Sequence, residues 1–402
     1  MKKGFLFSSV LFSVSLAACL ISINGASAAE RNEIRVGAVN AMTGGEAMTG
    51  AEQKWAYEQA VADINKKGGV YVKEAGRKLP MKLIFADDKS APDQAAAAME
   101  RLIKADKIDF GLSTDDVQKN IAAGTVADKY KVFFIVNQAW LNMIESQNFK
   151  WVAAYFFTTS IAAKVPFQIW NGLAEADKIK RPALIMTDNL GGQSFGKGFR
   201  EWGKQFGYTF AVDESYPVGS KDFSSLVLKM KTANADAMLF LGAPADGITL
   251  LRQMKDSQLK LRYIHGWAGF WPTEFASALG NDADYVVHDG FWTENNSKPG
   301  SKELGQRFKK QFGKDSVNVG HHYANPQILA MAIEKAGSLD SAKVRDVVFG
   351  GEFKDTVIGD VKFDAKGLAV TDSIALQWWK GERMPVWPPV KSIWKLKMIP
   401  VD

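Results

Sequence analysis

The sequence predicts an α/β protein of two lobes, each built on a parallel sheet. Three observations predict it. Short apolar runs alternate with helix-length amphipathic stretches, as parallel strands with crossover helices require. That alternation comes in two series, and 402 residues exceed the ~250–300 at which one core stops growing. No long Pro/Ser-rich linker separates the series, which suits lobes joined by short crossing strands, the architecture of a hinged clamp.

The elements follow in order. "IRVGAVNA" (34–41) is a strand running into a glycine-rich loop, and "EQKWAYEQAVADINKKGG" (52–69) is a helix with Trp55, Ala56, Ala60 and Ile64 on one face and Gly68-Gly69 as its stop. "MKLIFADD" is the next strand. "PDQAAAAMERLIKAD" starts a helix at Pro92 and places Ala96, Met99 and Ile103 at helical spacing. "KIDFGL", "VQKNIAAGTVADKY" and "KVFFIVN" repeat the alternation. A second series, from about residue 154, contains "AKVPFQIWNGLAEAD", "RPALIMTD", "GKGFREWGKQFG", "YTFAVDESYP", "FSSLVLKMKTANAD", "AMLFLG", "ITLLRQMKDSQ" and "RYIHG". The Pro-broken tail "VWPPVKSIWKLKMIPVD" packs irregularly on a lobe.

Ahead of the first strand, Lys2-Lys3, the apolar stretch Phe5–Ile23 and the small-residue pattern Ala26-Ser27-Ala28 form a secretory leader over residues 1–28. Leu16-Ala17-Ala18-Cys19 resembles a lipidation site, but the apolar run continues past it and favours simple secretion. Cys19 is the only cysteine. Cleavage after Ala28 leaves no disulfide, thiol nucleophile or cysteine metal site, and it lowers the formal charge from +6 to +4. So mild an excess points away from nucleic acid.

"GGEAMTGAEQ" (44–53) sets Gly45 and Gly50 at the spacing of a phosphate-binding loop, but Ala51 and Glu52 stand where Lys and Ser/Thr are needed. Nucleotide binding fails on that chemistry. What remains is a strand–loop–helix turn at the carboxyl end of a sheet. There Thr43, Met48 and Thr49 can meet a small molecule, or the glycines serve only the turn's shape.

Nearly the whole chain after the leader resembles the type I periplasmic solute-binding proteins of ABC uptake systems, in their branched-chain amino acid and amide branch. The carrying stretches are "IRVGAVNAMTG", "KLPMKLIFADDKSAPDQAAAAMERLI", "ESYPVGSKDFSSLVLKMKTANADAMLFLG", "LLRQMKDSQLK" and "DTVIGDVKFDAKG". The resemblance implies two Rossmann-like lobes with three hinge crossings near residues 153, 291 and 358. It divides the chain into a first lobe of 29–153 plus 292–358 and a second of 154–291 plus 359–402. It also implies a monomer without cofactor that captures a small molecule and meets membrane permease subunits.

Ligand positions carry over with it. The first-loop contact falls on Thr49. The turn that holds a ligand carboxylate falls on "GLSTDDVQKN", its register open over Ser113, Thr114, Asp116 and Gln118; Ser113 with Asp116 also fits a helix capping box. The next loop places Ala139 and Trp140, with Trp140 where relatives carry threonine. In the second lobe Phe195 is the candidate lid or else a helix-start staple, Ala243 stands where relatives can carry Tyr, and Asp246 remains as an acid. Relatives that bind α-amino acids place a Glu at the position of Ala268. Without it an ammonium would be buried uncompensated unless Asp246 or Asp116 substitutes, which turns the expectation towards an aromatic or apolar carboxylate or amide. Trp267, Phe270, Trp271, Phe291, Trp292 and Tyr323 supply aromatic walls or ordinary core. His265, His321 and His322 can hydrogen-bond a carboxylate or carbonyl; a metal on the adjacent pair lacks a third ligand.

An enzyme would show an activated nucleophile, paired carboxylates across a gap or a metal cluster. The adjacent pairs Asp87-Asp88 and Asp115-Asp116 read instead as loop ends or caps. A sensory subunit of a signalling system is the remaining alternative.

Overall fold

The computed structural model describes Met1, residues 31–388 and residues 394–401; the leader with its Cys19 lies outside them. The first sheet has six strands in the order Leu368–Val370, Val152–Phe156, Phe134–Asn137, Phe110–Leu112, Ile34–Asn40, Met81–Asp87. The second has seven, in the order Glu382–Trp387, Ile374–Trp379, Val287–Gly290, Tyr263–Gly266, Ala237–Leu241, Pro182–Thr187, Val212–Tyr216. The first sheet is parallel throughout, and in the second only Ile374–Trp379 runs against the others, pairing antiparallel with Val287–Gly290 on one side and Glu382–Trp387 on the other. Central strands are buried on both faces, so Phe134–Asn137 and Ala237–Leu241 read as continuous apolar runs, not alternations.

Helices cover both faces of each sheet. On one face of the first, Ala47–Lys66 and Val319–Ala336 pack together over Val36 and Ala38; on the other lie Pro92–Lys104 and Val117–Tyr130. In the second, Thr159–Asn171 and Leu190–Gln205 form one layer, and Ser224–Thr232, Pro244–Asp256 and Thr273–Leu279 the other. One apolar cluster runs unbroken from lobe to lobe, from Met99 and Leu102 through Phe156 and Phe195 to Leu239.

The chain passes between lobes three times. The first passage follows Phe156 and the second follows Gly290. The third lies between Val370 and Ile374 and not near residue 358, because Leu368–Val370 hydrogen-bonds alongside Val152–Phe156 and completes the first sheet. Residues 359–370 therefore stand with the first lobe. The tail packs on the second lobe: Trp394 lies against Trp379 at 5.4 Å, its Nε1–H bonded to Gln377.

Both sheets wind outward from an interior strand. In the first the order reverses between Ile34–Asn40 and Phe110–Leu112, in the second between Pro182–Thr187 and Ala237–Leu241. The loops leaving the carboxyl ends of those strands diverge there, at the usual place for a ligand in such sheets.

Candidate functional site

The glycine stretch has a structural role. The first helix begins at Ala47, so Thr49 and Gly50 are helical and Glu52 lies beyond the first turn. A Cβ on Gly50 would sit 1.9 Å from the Ala41 carbonyl oxygen. Glycine lets the helix press against the strand end, where Asn40 Nδ2 donates to the Gly50 carbonyl at 2.9 Å. Gly44 holds φ at +93°. The loop is then tied down by Asp87, which accepts from the Met42 and Thr43 amides at 3.0 and 3.2 Å and from the Thr43 hydroxyl at 2.6 Å. Glu52 is turned to Ser316 at 2.7 Å and Lys314 at 3.3 Å.

Ser113 and Thr114 are fully buried. Ser113 Oγ sits in a network with Tyr57, Asn137 and Asn325 that fastens helix Val319–Ala336 to the sheet. The Thr114 hydroxyl donates to Asp88. The capping box on Ser113 does not form: Asp116 itself caps the helix Val117–Tyr130, accepting from the Gln118 and Lys119 amides, and Gln118 is exposed. Asp88, with Asp115, ties Thr114 to a cluster centred on Lys119, and Thr49 is half-buried in the first turn of its helix. The Lys119 side chain is 2% exposed and pairs with Asp115 at 2.6 Å, Asp88 at 3.6 Å and Glu46. Burial pushes the Asp115 carboxyl up and Lys119 offsets only part of that.

The two lobes meet through aromatic rings. Trp140, half-buried beside the buried Ala139, touches Phe156 at 5.5 Å and reaches across to Phe195 at 5.1 Å. Phe195 is 1% exposed and lies inside helix Leu190–Gln205, whose N-cap is Asn189, so it is neither a loop lid nor a helix-start staple. It packs on Trp267 at 5.7 Å. Trp267 in turn stacks on His265 at 4.6 Å and 12°. From the other end of the same turn, Trp271 meets Phe291 at 5.6 Å, and Phe291 returns to Phe156 at 5.1 Å. The contacts run as a chain from Trp267 through Phe195, Trp140, Phe156 and Phe291 to Trp271, and the turn between Trp267 and Trp271 closes it into a circuit through the backbone.

Other expected residues fall elsewhere. Phe270 stacks on Phe240 and Phe275 at 5.1 and 4.6 Å and is core of the second lobe. Tyr323 faces the outer layer, donating to Asp63 at 2.9 Å. His322 is buried edge-on to Tyr57 at 5.9 Å, and Trp292 belongs to the core of the first lobe. Ala243 is half-buried at the N-cap of Pro244–Asp256. Asp246 is 1% exposed and accepts from Tyr216 OH at 3.2 Å and the Gly219 amide at 3.1 Å, within its own lobe. Neither acid proposed to stand in at Ala268 is free for a ligand.

The sequence reading missed three features. Asp289, fully buried in the strand Val287–Gly290, accepts from Trp271 Nε1 at 2.6 Å, while its Oδ2 has no partner. Burial raises its carboxyl well above the ordinary range, the Trp271 N–H opposing. Its signal was an acid inside the apolar run "VVHDGFW". The second feature is an ion pair across the lobes, Arg383 with Asp315; Arg383 also donates to the Trp271 carbonyl and lies 4.4 Å over Trp378. Nearby, Lys314 links Glu52 to Glu274 at 3.3 and 3.7 Å. The third is the burial of all four histidines. Among the described residues no group of three or more His, Cys, Asp or Glu is placed to hold a metal ion. A cavity of about 600 Å³ between Phe149, Arg345 and Lys366 lies at the opposite ends of the strands from the lobe contact.

Two doubly wound lobes, facing each other across the carboxyl ends of their sheets and joined by three passages, define a solute-binding clamp of periplasmic type. The chain belongs to the periplasmic binding protein family, whose profile matches residues 33–383; it is a type I, leucine-binding-protein-like member. It is 27% identical to the Leu/Ile/Val-binding protein homolog 7 of Brucella suis, over 96% of this chain and 98% of that one. Among solved structures it is similar to the branched-chain amino acid transporter substrate-binding protein LivJ of Streptococcus pneumoniae in complex with isoleucine (TM-score 0.73, 21% identity, 87% of this chain and 97% of that one). It is also similar to a solute-binding protein of an ABC transporter from Rhodopseudomonas palustris in complex with 3,4-dihydroxybenzoic acid (TM-score 0.72, 21% identity, 88% and 95%).

Proposed function

We propose that the protein is the solute-binding component of an ABC importer. It captures a small molecule with an aromatic or apolar body, an amino acid, carboxylate or amide, and presents the closed form to a membrane permease. The leader delivers it to the periplasm by cleavage without a lipid anchor at Cys19. The lobes move about the three passages, and the guest is released chemically unchanged. The observation that carries this reading is the ring circuit. Trp140 from one lobe and Phe195 from the other meet at the sheet ends, so closure over a guest buries apolar surface that is open when the lobes part.

A thermal-shift panel tests it, setting leucine, phenylalanine and glutamate against benzoate-like acids, short amides and urea. Trp140→Ala separates wall from core. We expect it to abolish the ligand-induced shift while lowering the stability of the free protein by only ~1–2 kcal/mol, because the ring is half-buried. Retention of the full shift in Trp140→Ala, or turnover of the ligand, refutes the proposal.

A further inference from the structure

The group that this cleft is built to hold is legible from its unpaired charges. Asp246 and Asp116 are the acids the sequence offers for a ligand's positive end, and Asp289 is the one the fold adds. Asp246 is consumed by Tyr216 and Gly219, and Asp116 caps a helix. Only Asp289 keeps an oxygen without a partner, and it forms no ion pair. Its position is at the cleft. It precedes the second passage by two residues, and the register that pairs His265 with Val287 puts Asp289 on the same sheet face as His265, over which Trp267 stacks. Its other oxygen holds Trp271, so the carboxyl is tied directly to one member of the ring circuit.

Nothing comparable awaits a ligand carboxylate. The cations nearest the cleft are already paired: Lys119 with three carboxylates, Arg383 with Asp315 and Lys314 with Glu52 and Glu274. The mouth of the first lobe is acidic, with Glu46, Asp87, Asp88, Asp115 and Asp116 against Lys89 and Lys119. The unpartnered Trp267 Nε1 and Gln138 Nε2 supply neutral donors only. Aromatic rings present their negative faces to cations, and an acidic mouth concentrates them.

Resting on the clamp reading above but replacing its choice of carboxylate or amide, we infer that the ligand is a cation: an amine or substituted ammonium on an aromatic or apolar body, whose charged nitrogen is held by Asp289 within the ring circuit, and which needs no carboxylate of its own. Asp289 thus takes the place of the acid that Ala268 lacks, from a different strand.

Three probes share one hydrocarbon body: phenethylamine (ammonium alone), phenylalanine (ammonium and carboxylate) and phenylpropionate (carboxylate alone). Calorimetry and thermal shift on the full-length mature protein are expected to show binding of the amine, and no binding of the acid. Asp289→Asn keeps the size of the side chain and an acceptor for Trp271; it is expected to weaken the amine by about thirtyfold or more. Binding of the acid in preference to the amine, silence of the amine, or an unchanged amine affinity in Asp289→Asn overturns the inference. If the acid binds and Trp140→Ala abolishes that binding, the clamp reading survives and only the charge assignment falls. If the amine binds equally well to both variants, it sits outside the cleft and both fail.

Discussion

Acid should unfold this protein at a pH that most carboxylates tolerate. All four histidines are buried, and their free ring nitrogens, both of them in His321 and His322, have no partner. Burial lowers His265, His321 and His322 from 6.5 to about 3 and His288 well below its ordinary value. A depressed folded value means that the unfolded chain binds the proton first. The contribution to stability is therefore complete above pH 6.5 and is lost as pH falls from there towards 3. Each histidine costs ~1.4 kcal/mol per pH unit once titration of the unfolded state is under way, or ~2.3 kcal/mol between pH 6.5 and 4.5. Asp109, Asp115 and Asp289 are raised by burial and act in the opposite sense, so we expect about half of the summed effect, ~4–5 kcal/mol, against a typical total of ~5–15. Urea melts at pH 6.5, 5.5 and 4.5 measure it. His322→Gln should flatten the slope by about one proton. An imidazole that titrates near 6.5 in the folded protein by NMR, or stability that is level or rising over that range, refutes the reasoning.

Two further outcomes follow from the ion pairs. Lys119→Met strands Asp115 and Asp88 in the interior, and should cost ~3 kcal/mol, lowering Tm by ~6–12 °C; adding Asp115→Asn should recover part of it, and a loss under ~1 kcal/mol would mean that water already reaches the cluster. Asp315→Asn cuts the bond between the lobes but leaves Arg383 stacked on Trp378. At ~1–2 kcal/mol it should weaken ligand binding about five- to thirtyfold and expand the liganded protein in small-angle scattering; unchanged affinity would show that the pair does not favour closure.

The alternation of elements could be read from the sequence because parallel strands are buried on both faces, and this leaves apolar runs such as those of Phe134–Asn137 and Ala237–Leu241. The third passage was misplaced for the converse reason. Leu368–Val370 is three residues long, too short to show any period, and its membership of the first sheet depends on a partner more than 200 residues away. The start of the first helix was hidden because glycines at 44, 45 and 50 read as loop, whereas Gly50 is helical and small to admit the Ala41 carbonyl. Aromatics were the least legible. Phe195 and Phe270 look alike in sequence, and only tertiary packing sends one to the lobe contact and the other to the core. Asp289 escaped because it lies in a strand, where an acid carries no loop or cap signal.

The first lobe is finished late. Its helix Val319–Ala336 and its edge strand Leu368–Val370 are made only after five of the seven strands of the second lobe have been synthesised. Until then the face bearing Val36, Ala38 and Phe110 has only Ala47–Lys66 of its two covering helices, and the Val152–Phe156 edge offers unpaired amides to any passing strand. A growing chain therefore carries a half-covered flank through most of its manufacture, and no single cut can release either lobe whole.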